Sequence, residues 1–142
     1  MRKVIIDTNM LLVPGQHKVD IFTELDRVMD EQYEIIVLKG TLEELQRIID
    51  GKTQATGADK QAAKLAQLLV KHHEQRDKVS SKTNCKALKI VSGSKHHVDD
   101  AIVEIAEDAF VATNDSGLKR RLLEKGIRVI SLKQQKYLAI ST

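Results

Sequence analysis

The stretch Val4-Ile5-Ile6-Asp7-Thr8-Asn9 decides the fold class. Three consecutive apolar β-branched residues make a short strand buried on both faces, and the switch to Asp-Thr-Asn ends it. Runs of the same kind recur at Ile35-Ile36-Val37-Leu38, Leu88-Lys89-Ile90-Val91, Phe110-Val111-Ala112 and Val129-Ile130. Between them, apolar residues fall at helical spacing: Val19, Phe22, Leu25, Val28 and Met29; Leu42, Leu45, Ile48 and Ile49; Ala62, Leu65, Leu68 and Leu69; Ile102, Ile105 and Ala106; Leu118, Leu122 and Leu123. Apolar strands alternating with amphipathic helices predict an α/β fold, a three-layer sandwich whose central parallel sheet of about five strands is flanked by helices. No repeat or composition break divides the chain, so residues 1–142 are expected to form one domain.

Composition agrees. With 142 residues, 42% hydrophobic and 30% charged, the chain is long enough to bury a core and too polar to be a membrane protein. Asp7 cuts the first apolar run too early for a signal peptide, and no run approaches the length of a membrane span. The single cysteine, Cys85, cannot pair within the chain, which fits a reducing, cytoplasmic compartment.

The net charge of +3 hides an asymmetry. Residues 20–50 are dominated by Asp and Glu, whereas Lys71–Lys95 and Gly117–Lys136 are strongly basic. Basic stretches of this kind suit a polyanion such as nucleic acid, with a solvated helix face as the plain alternative. Phe22, Tyr33, Phe110 and Tyr137 are too few and too apolar in context for a base-stacking platform. Two polar connections stand out: Gly51–Gly57, read as a flexible bend between helices, and Ser92–His97, read as a loop entering a helix.

In a parallel sheet, ligands bind beyond the carboxyl ends of the strands. Asp7 follows the first strand and Asp115 follows the fourth; Glu44 opens the helix after the second, and Asp99-Asp100 opens the helix before the fourth. Each has a structural role available. Asp7 and Asp115 suit helix caps, Thr41-Leu42-Glu43-Glu44 reads as a capping box, and Asp99 and Asp100 complement a helix dipole. Together, carboxylates from four segments at one sheet edge repel unless a cation neutralises them, which predicts a metal site. Oxygen donors alone favour Mg²⁺ or Mn²⁺ over zinc; His72-His73 and His96-His97 are not spaced as helix-borne ligands. No phosphate-binding glycine loop and no nucleophile elbow is present. Carboxylate-held metal beside basic segments points to phosphodiester hydrolysis, with Lys and Arg holding the backbone without reading sequence. Lys95, Lys119, Arg120 and Arg121 are the expected backbone contacts.

The motifs Ile5-Ile6-Asp7-Thr8-Asn9, Thr41-Leu42-Glu43-Glu44-Leu45, Asp99-Asp100-Ala101-Ile102 and Ala112-Thr113-Asn114-Asp115, in this order, resemble the motif set of the PIN-domain ribonucleases. The similarity spans nearly the whole chain. It is greatest toward an archaeal single-domain branch with VapC-like and ribosomal RNA-processing members. The resemblance implies an endoribonuclease dependent on Mg²⁺ or Mn²⁺ that leaves 5′-phosphate and 3′-hydroxyl ends. It implies Asp7, Glu44, Asp100 and Asp115 as the acidic metal positions, with Asp99 a further contributor, and Asn9 and Thr113 as residues that orient them. Asp100 matches better than Asp99 because it precedes a small and then an apolar residue, and Glu44 better than Glu43 because it precedes Leu45. A homodimer, and an antitoxin or a ribosome-assembly partner, are further implications. The rival reading is a non-catalytic RNA-binding module in ribosome assembly, in which the basic segments matter and the carboxylates do not.

Overall fold

Alternation along each strand splits the apolar residues between two cores. In the computed structural model, which describes residues 1–76, 83–93 and 97–141, strand β1 (Arg2–Ile6) sends Val4 and Ile6 to one face and Ile5 to the other. Strands β2 (Tyr33–Leu38) and β4 (Phe110–Ala112) divide in the same way: Ile35, Val37, Phe110 and Ala112 join the first core, and Ile36, Leu38 and Val111 the second. Strands apolar at every position are therefore explained by helices on both faces.

Helices α1 (Thr8–Leu11), α2 (Val13–His17), α3 (Ile21–Val28), α4 (Lys39–Ile49) and α5 (Gly57–Gln75) supply the first core, with Leu25, Leu45, Ala63 and Ala66 fully covered. Helices α6 (Val98–Ile105) and α7 (Ser116–Glu124) supply the second through Ile102, Leu118 and Leu122. Burying each such Leu or Ile contributes about 1.5–3 kcal/mol relative to exposure.

With β3 (Cys85–Val91), β5 (Arg128–Lys133) and β6 (Tyr137–Ser141), the sheet order among the described residues is β3-β2-β1-β4-β5-β6. Every neighbouring pair is parallel except β5 with β6. The three-layer α/β expectation holds, with a sixth, antiparallel edge strand beyond the five expected. The chain runs from β1 outward to β2 and β3, then returns to the other side of β1 as β4. This reversal puts the topological switch point at the carboxyl ends of β1 and β4, the place where α/β sheets bind ligands. No helix among the described residues is long and apolar enough to cross a membrane.

Two local readings are corrected. Helix α4 begins at Lys39, so Thr41 lies inside its first turn, buried, and not at its N-cap. Thr41 Oγ1 has no hydrogen-bond partner among the described residues, and Glu44 is free of the expected box. A capping box instead opens α5 at the end of the segment read as a flexible bend: Thr56 Oγ1 accepts from Asp59 N at 3.1 Å, and Thr56 N donates to Asp59 Oδ2 at 3.4 Å.

Candidate active site at the carboxyl ends of β1 and β4

Asp7 leaves β1 in extended conformation and caps α1, as its position after a strand predicts. It is 3% exposed. Its Oδ1 accepts from Thr8 N at 2.8 Å, and its Oδ2 accepts from Asn9 Nδ2 at 2.9 Å and from Thr113 Oγ1 at 2.8 Å. Three donors hold the group, yet burial outweighs them: desolvation, with repulsion from Asp99 and Glu44, pushes its pKa up to about 6. A buried carboxylate with acidic neighbours is a group short of positive charge.

Thr113 follows β4 and is fully buried. Its hydroxyl oxygen also accepts from Asp115 N at 3.1 Å, so one side chain ties the end of β1 to the turn carrying Asp115. Asp115 caps α7, its Oδ1 accepting from Leu118 N at 3.0 Å. Asn9 reaches the same turn from α1, its Oδ1 accepting from Asn114 N at 2.8 Å.

Glu44, one turn into α4, accepts from Thr8 Oγ1 at 2.5 Å. Glu43 is exposed and faces a separate small cleft with Lys39 and Ser92. The adjacent aspartates of α6 differ in their partners. Asp99 has its pKa raised by desolvation and by the charge of Asp115, and it acts in turn on Asp7. Asp100 Oδ1 instead accepts from Arg121 Nη2 at 2.9 Å, in an ion pair whose two side chains are each 46% exposed. Such a pair contributes little, about 0–1 kcal/mol.

The edge thus links Asp7, Glu44, Asp99 and Asp115 electrostatically, and Asp100, paired with Arg121, acts on Asp99 as well. All four are hard oxygen donors, which fits Mg²⁺ or Mn²⁺ by chemistry. Among the described residues, no three His, Cys, Asp or Glu side chains are gathered closely enough to form a finished metal cluster. The buried, charge-short Asp7 is the observation that fits a cation.

Of the expected backbone contacts, Lys119 is half-buried on α7, Arg120 is exposed beside it, and Arg121 is engaged by Asp100. Lys95 lies outside the described residues. Two residues escaped the sequence reading. Thr8 stands inside the opening motif, and its hydroxyl role shows only once α4 is placed against α1. Asn114, whose Oδ1 accepts from Leu132 N at 2.8 Å, joins this turn to β5.

The chain matches the family profile described as PIN like domain over residues 4–135. It is 32% identical over 143 residues to Ribonuclease VapC4 of Methanocaldococcus jannaschii, covering 99% of this chain and 97% of that protein. It is 28% identical over 139 residues to Ribonuclease VapC9 of Archaeoglobus fulgidus, covering 96% of this chain and 87% of that one. Among solved structures, its fold is similar to that of the PIN domain endonuclease Utp24, with TM-score 0.68, 21% identity, and 98% of this chain and 90% of that chain covered. A domain of a functionally unknown protein from Methanocaldococcus jannaschii shares the fold at TM-score 0.60 and 15% identity, covering 94% of this chain and 92% of that one. Motif order, sheet topology and a profile match along nearly the full length agree: the chain belongs to the PIN like domain family.

Proposed function

We propose that the chain, acting as one domain, is a divalent-metal-dependent endoribonuclease whose site is the carboxylate edge at β1 and β4. The observation that carries this reading is Asp7, a buried carboxyl surrounded by Asp99 and Glu44 and held ready by three donors. Asp7, Asp99 and Asp115, with Glu44, would hold Mg²⁺ or Mn²⁺. Such an ion, when bound, polarises the phosphate and lowers the pKa of water.

The chain's own part is positioning. Thr113 and Asn9 fix the Asp7 carboxylate and the Asp115 turn in one frame, so the two acidic groups approach a phosphate from adjacent strands. Thr8 occupies Oε1 of Glu44, which leaves the other oxygen to orient the attacking water and take its proton. The water oxygen bonds to phosphorus, the bond to O3′ breaks, and O3′ takes a proton from solvent, to which Glu44 returns its own, giving 5′-phosphate and 3′-hydroxyl ends. Asp100, paired with Arg121, stands outside this frame and contributes to the local field. Full-length similarity to two proteins named Ribonuclease VapC favours the toxin-type role over ribosomal RNA processing, with a protein antitoxin and a second copy of the chain as partners.

The test is cleavage of end-labelled structured RNA by wild type and Asp7→Asn protein with Mn²⁺, Mg²⁺ or EDTA. Cleavage that both EDTA and the substitution abolish is expected. RNA binding without metal-dependent cleavage would instead favour the non-catalytic module.

A further inference from the structure

A second feature adjoins the acidic edge on the side of β5. A cleft of about 440 Å³ opens beyond the carboxyl end of this strand, walled by His17, Lys119, Ser131, Lys133, Gln134 and Gln135. No Asp or Glu lines it. Lys119 and Lys133 are both half-buried and crowd each other; desolvation first, and the charge of Lys133 next, hold the Lys119 ammonium below its usual pKa. Two ammonium groups sharing one wall repel, and an anion seated between them removes the repulsion.

A neutral donor accompanies them. Ser131 is 5% exposed, and its Oγ has no hydrogen-bond partner within the described residues. A buried hydroxyl in a cleft wall without a partner is an unused hydrogen-bonding group, which a ligand oxygen or a water held by one would satisfy. The third observation is the turn that rims the cleft. Lys136 N donates to Lys133 O at 3.0 Å, and the two residues between, Gln134 at φ 53° and Gln135 at φ 57°, are both left-handed. Such a hairpin turn favours Asn and Gly, and glutamines there are strained. Strain of this kind concentrates at ligand sites, where the side chain is needed despite its backbone cost.

The cleft and the carboxylate edge share one frame. Asn114 accepts from Leu132 N in the strand that walls the cleft, and donates from its own backbone to Asn9, which donates to Asp7. A polymer crossing both sites therefore meets a fixed spacing. We infer that the β5 cleft is a phosphate subsite that takes one backbone phosphate of the RNA strand next to the phosphate held at the acidic edge. Lys119 and Lys133 supply the charge, and Ser131 with the turn glutamines supplies neutral hydrogen bonds. This assignment rests on the nuclease reading of that edge. It divides the labour: negative side chains meet the bond to be cut, and positive ones hold the strand beside it.

The experiment measures binding of a fluorescent twelve-nucleotide single-stranded RNA by anisotropy across a salt series, and its cleavage with Mn²⁺. Lys119→Ala, Lys133→Ala and the turn variant Gln134→Asn/Gln135→Gly are compared with Lys64→Ala, which removes the same charge from the exposed face of α5. Each cleft lysine variant is expected to weaken binding about five- to tenfold and to lower the slope of log affinity against log salt by about 0.7. Cleavage should lose the same factor through KM, with kcat little changed. Melting temperatures of the lysine variants should hold or rise, because a like-charge pair is relieved, and the turn variant should be more stable yet bind RNA less tightly. Cleft variants that bind like Lys64→Ala overturn the subsite; if wild type then still cuts RNA, the nuclease reading survives alone. A wild type that neither binds nor cuts RNA overturns both. Selective loss of binding in the cleft variants of a protein that does not cut supports the subsite and overturns the nuclease reading.

Discussion

Asp7 and Thr113 stand 106 positions apart in the chain, and the hydroxyl of one donates to the carboxylate of the other at 2.8 Å. The bond joins the ends of two adjacent parallel strands at the point where the sheet order reverses. It lowers the pKa of Asp7, and burial raises it more, so the pKa settles at about 6. A carboxyl of ordinary pKa 3.8 when unfolded and about 6 when folded makes stability depend on pH.

Between these two values the folded state binds more protons than the unfolded one, so stability falls as pH rises through this window. Above it, ionised Asp7 costs about 3 kcal/mol, at about 1.4 kcal/mol for each pKa unit. Asp7→Asn protein in EDTA at pH 7.5 is therefore expected to melt several degrees above wild type, with the advantage vanishing near pH 4. Thermal denaturation across pH 4–8 checks it. A substantial fall in melting temperature at pH 7.5 would make Asp7 a structural cap first and a ligand second.

Thr113→Val keeps shape and removes the hydroxyl. Because that hydrogen bond lowers the pKa of Asp7, its loss moves the pKa further up and extends the stability window to higher pH. It also removes the acceptor of Asp115 N, a hydrogen bond worth about 0.5–1.5 kcal/mol at this exposed residue. Carboxyl titration followed by NMR reads the shift directly, and an unchanged or lower Asp7 pKa would refute the assignment.

Much of this arrangement was legible in the residues. Five strands and the five longer helices follow from apolar period, and Asp7, Glu44, Asp99, Asp100 and Asp115 stand out by their places at strand and helix ends, with the motif favouring Asp100 where the structure pairs Asp100 with Arg121. What was hidden had physical reasons. Strand β6 hides because only Leu138 in it is buried and because its hairpin turn uses Gln134-Gln135 where Asn-Gly would have announced it. Helices α1 and α2 are single turns, too short for a helical period to show. The direction in which Asp99 and Asp100 face depends on where Arg121 of α7 comes to rest, a tertiary fact that no local pattern carries.

Helix α2 owes its close approach to α5 to Gly15. A Cβ there would stand 2.5 Å from the backbone Cα of Ala62, which cannot swing aside as a flexible side chain could. Gly15→Ala is expected to cost about 1–3 kcal/mol by overpacking. Gly57→Ala, at the start of α5 with open space around it, should be neutral or stabilising by up to about 1 kcal/mol. Urea denaturation of the pair separates packing from chain entropy, and equal effects would contradict the close contact.

The two aspartates of α6 give the sharpest contrast. Asp99 acts on Asp7, and its own pKa is raised by burial and by the charges of Asp115 and Asp100; Asp100 is half-exposed and paired with Arg121. Substituting Asn for Asp99 removes one negative charge from the group that would hold the cation, so metal-dependent cleavage should fall at least about a hundredfold, as losing an oriented ligand does. Substituting Asn for Asp100 breaks one exposed ion pair, worth under about 1 kcal/mol, and should lower cleavage less than tenfold. Manganese titration of the melting temperature gives a reading independent of cleavage: saturating ion stabilises wild type by about 2.7 kcal/mol at a hundred times its dissociation constant, and Asp100→Asn similarly. Asp99→Asn should need far more ion for the same rise. Equal losses in the two variants, or a greater loss at Asp100, would place the α6 ligand on the Arg121 side of the helix.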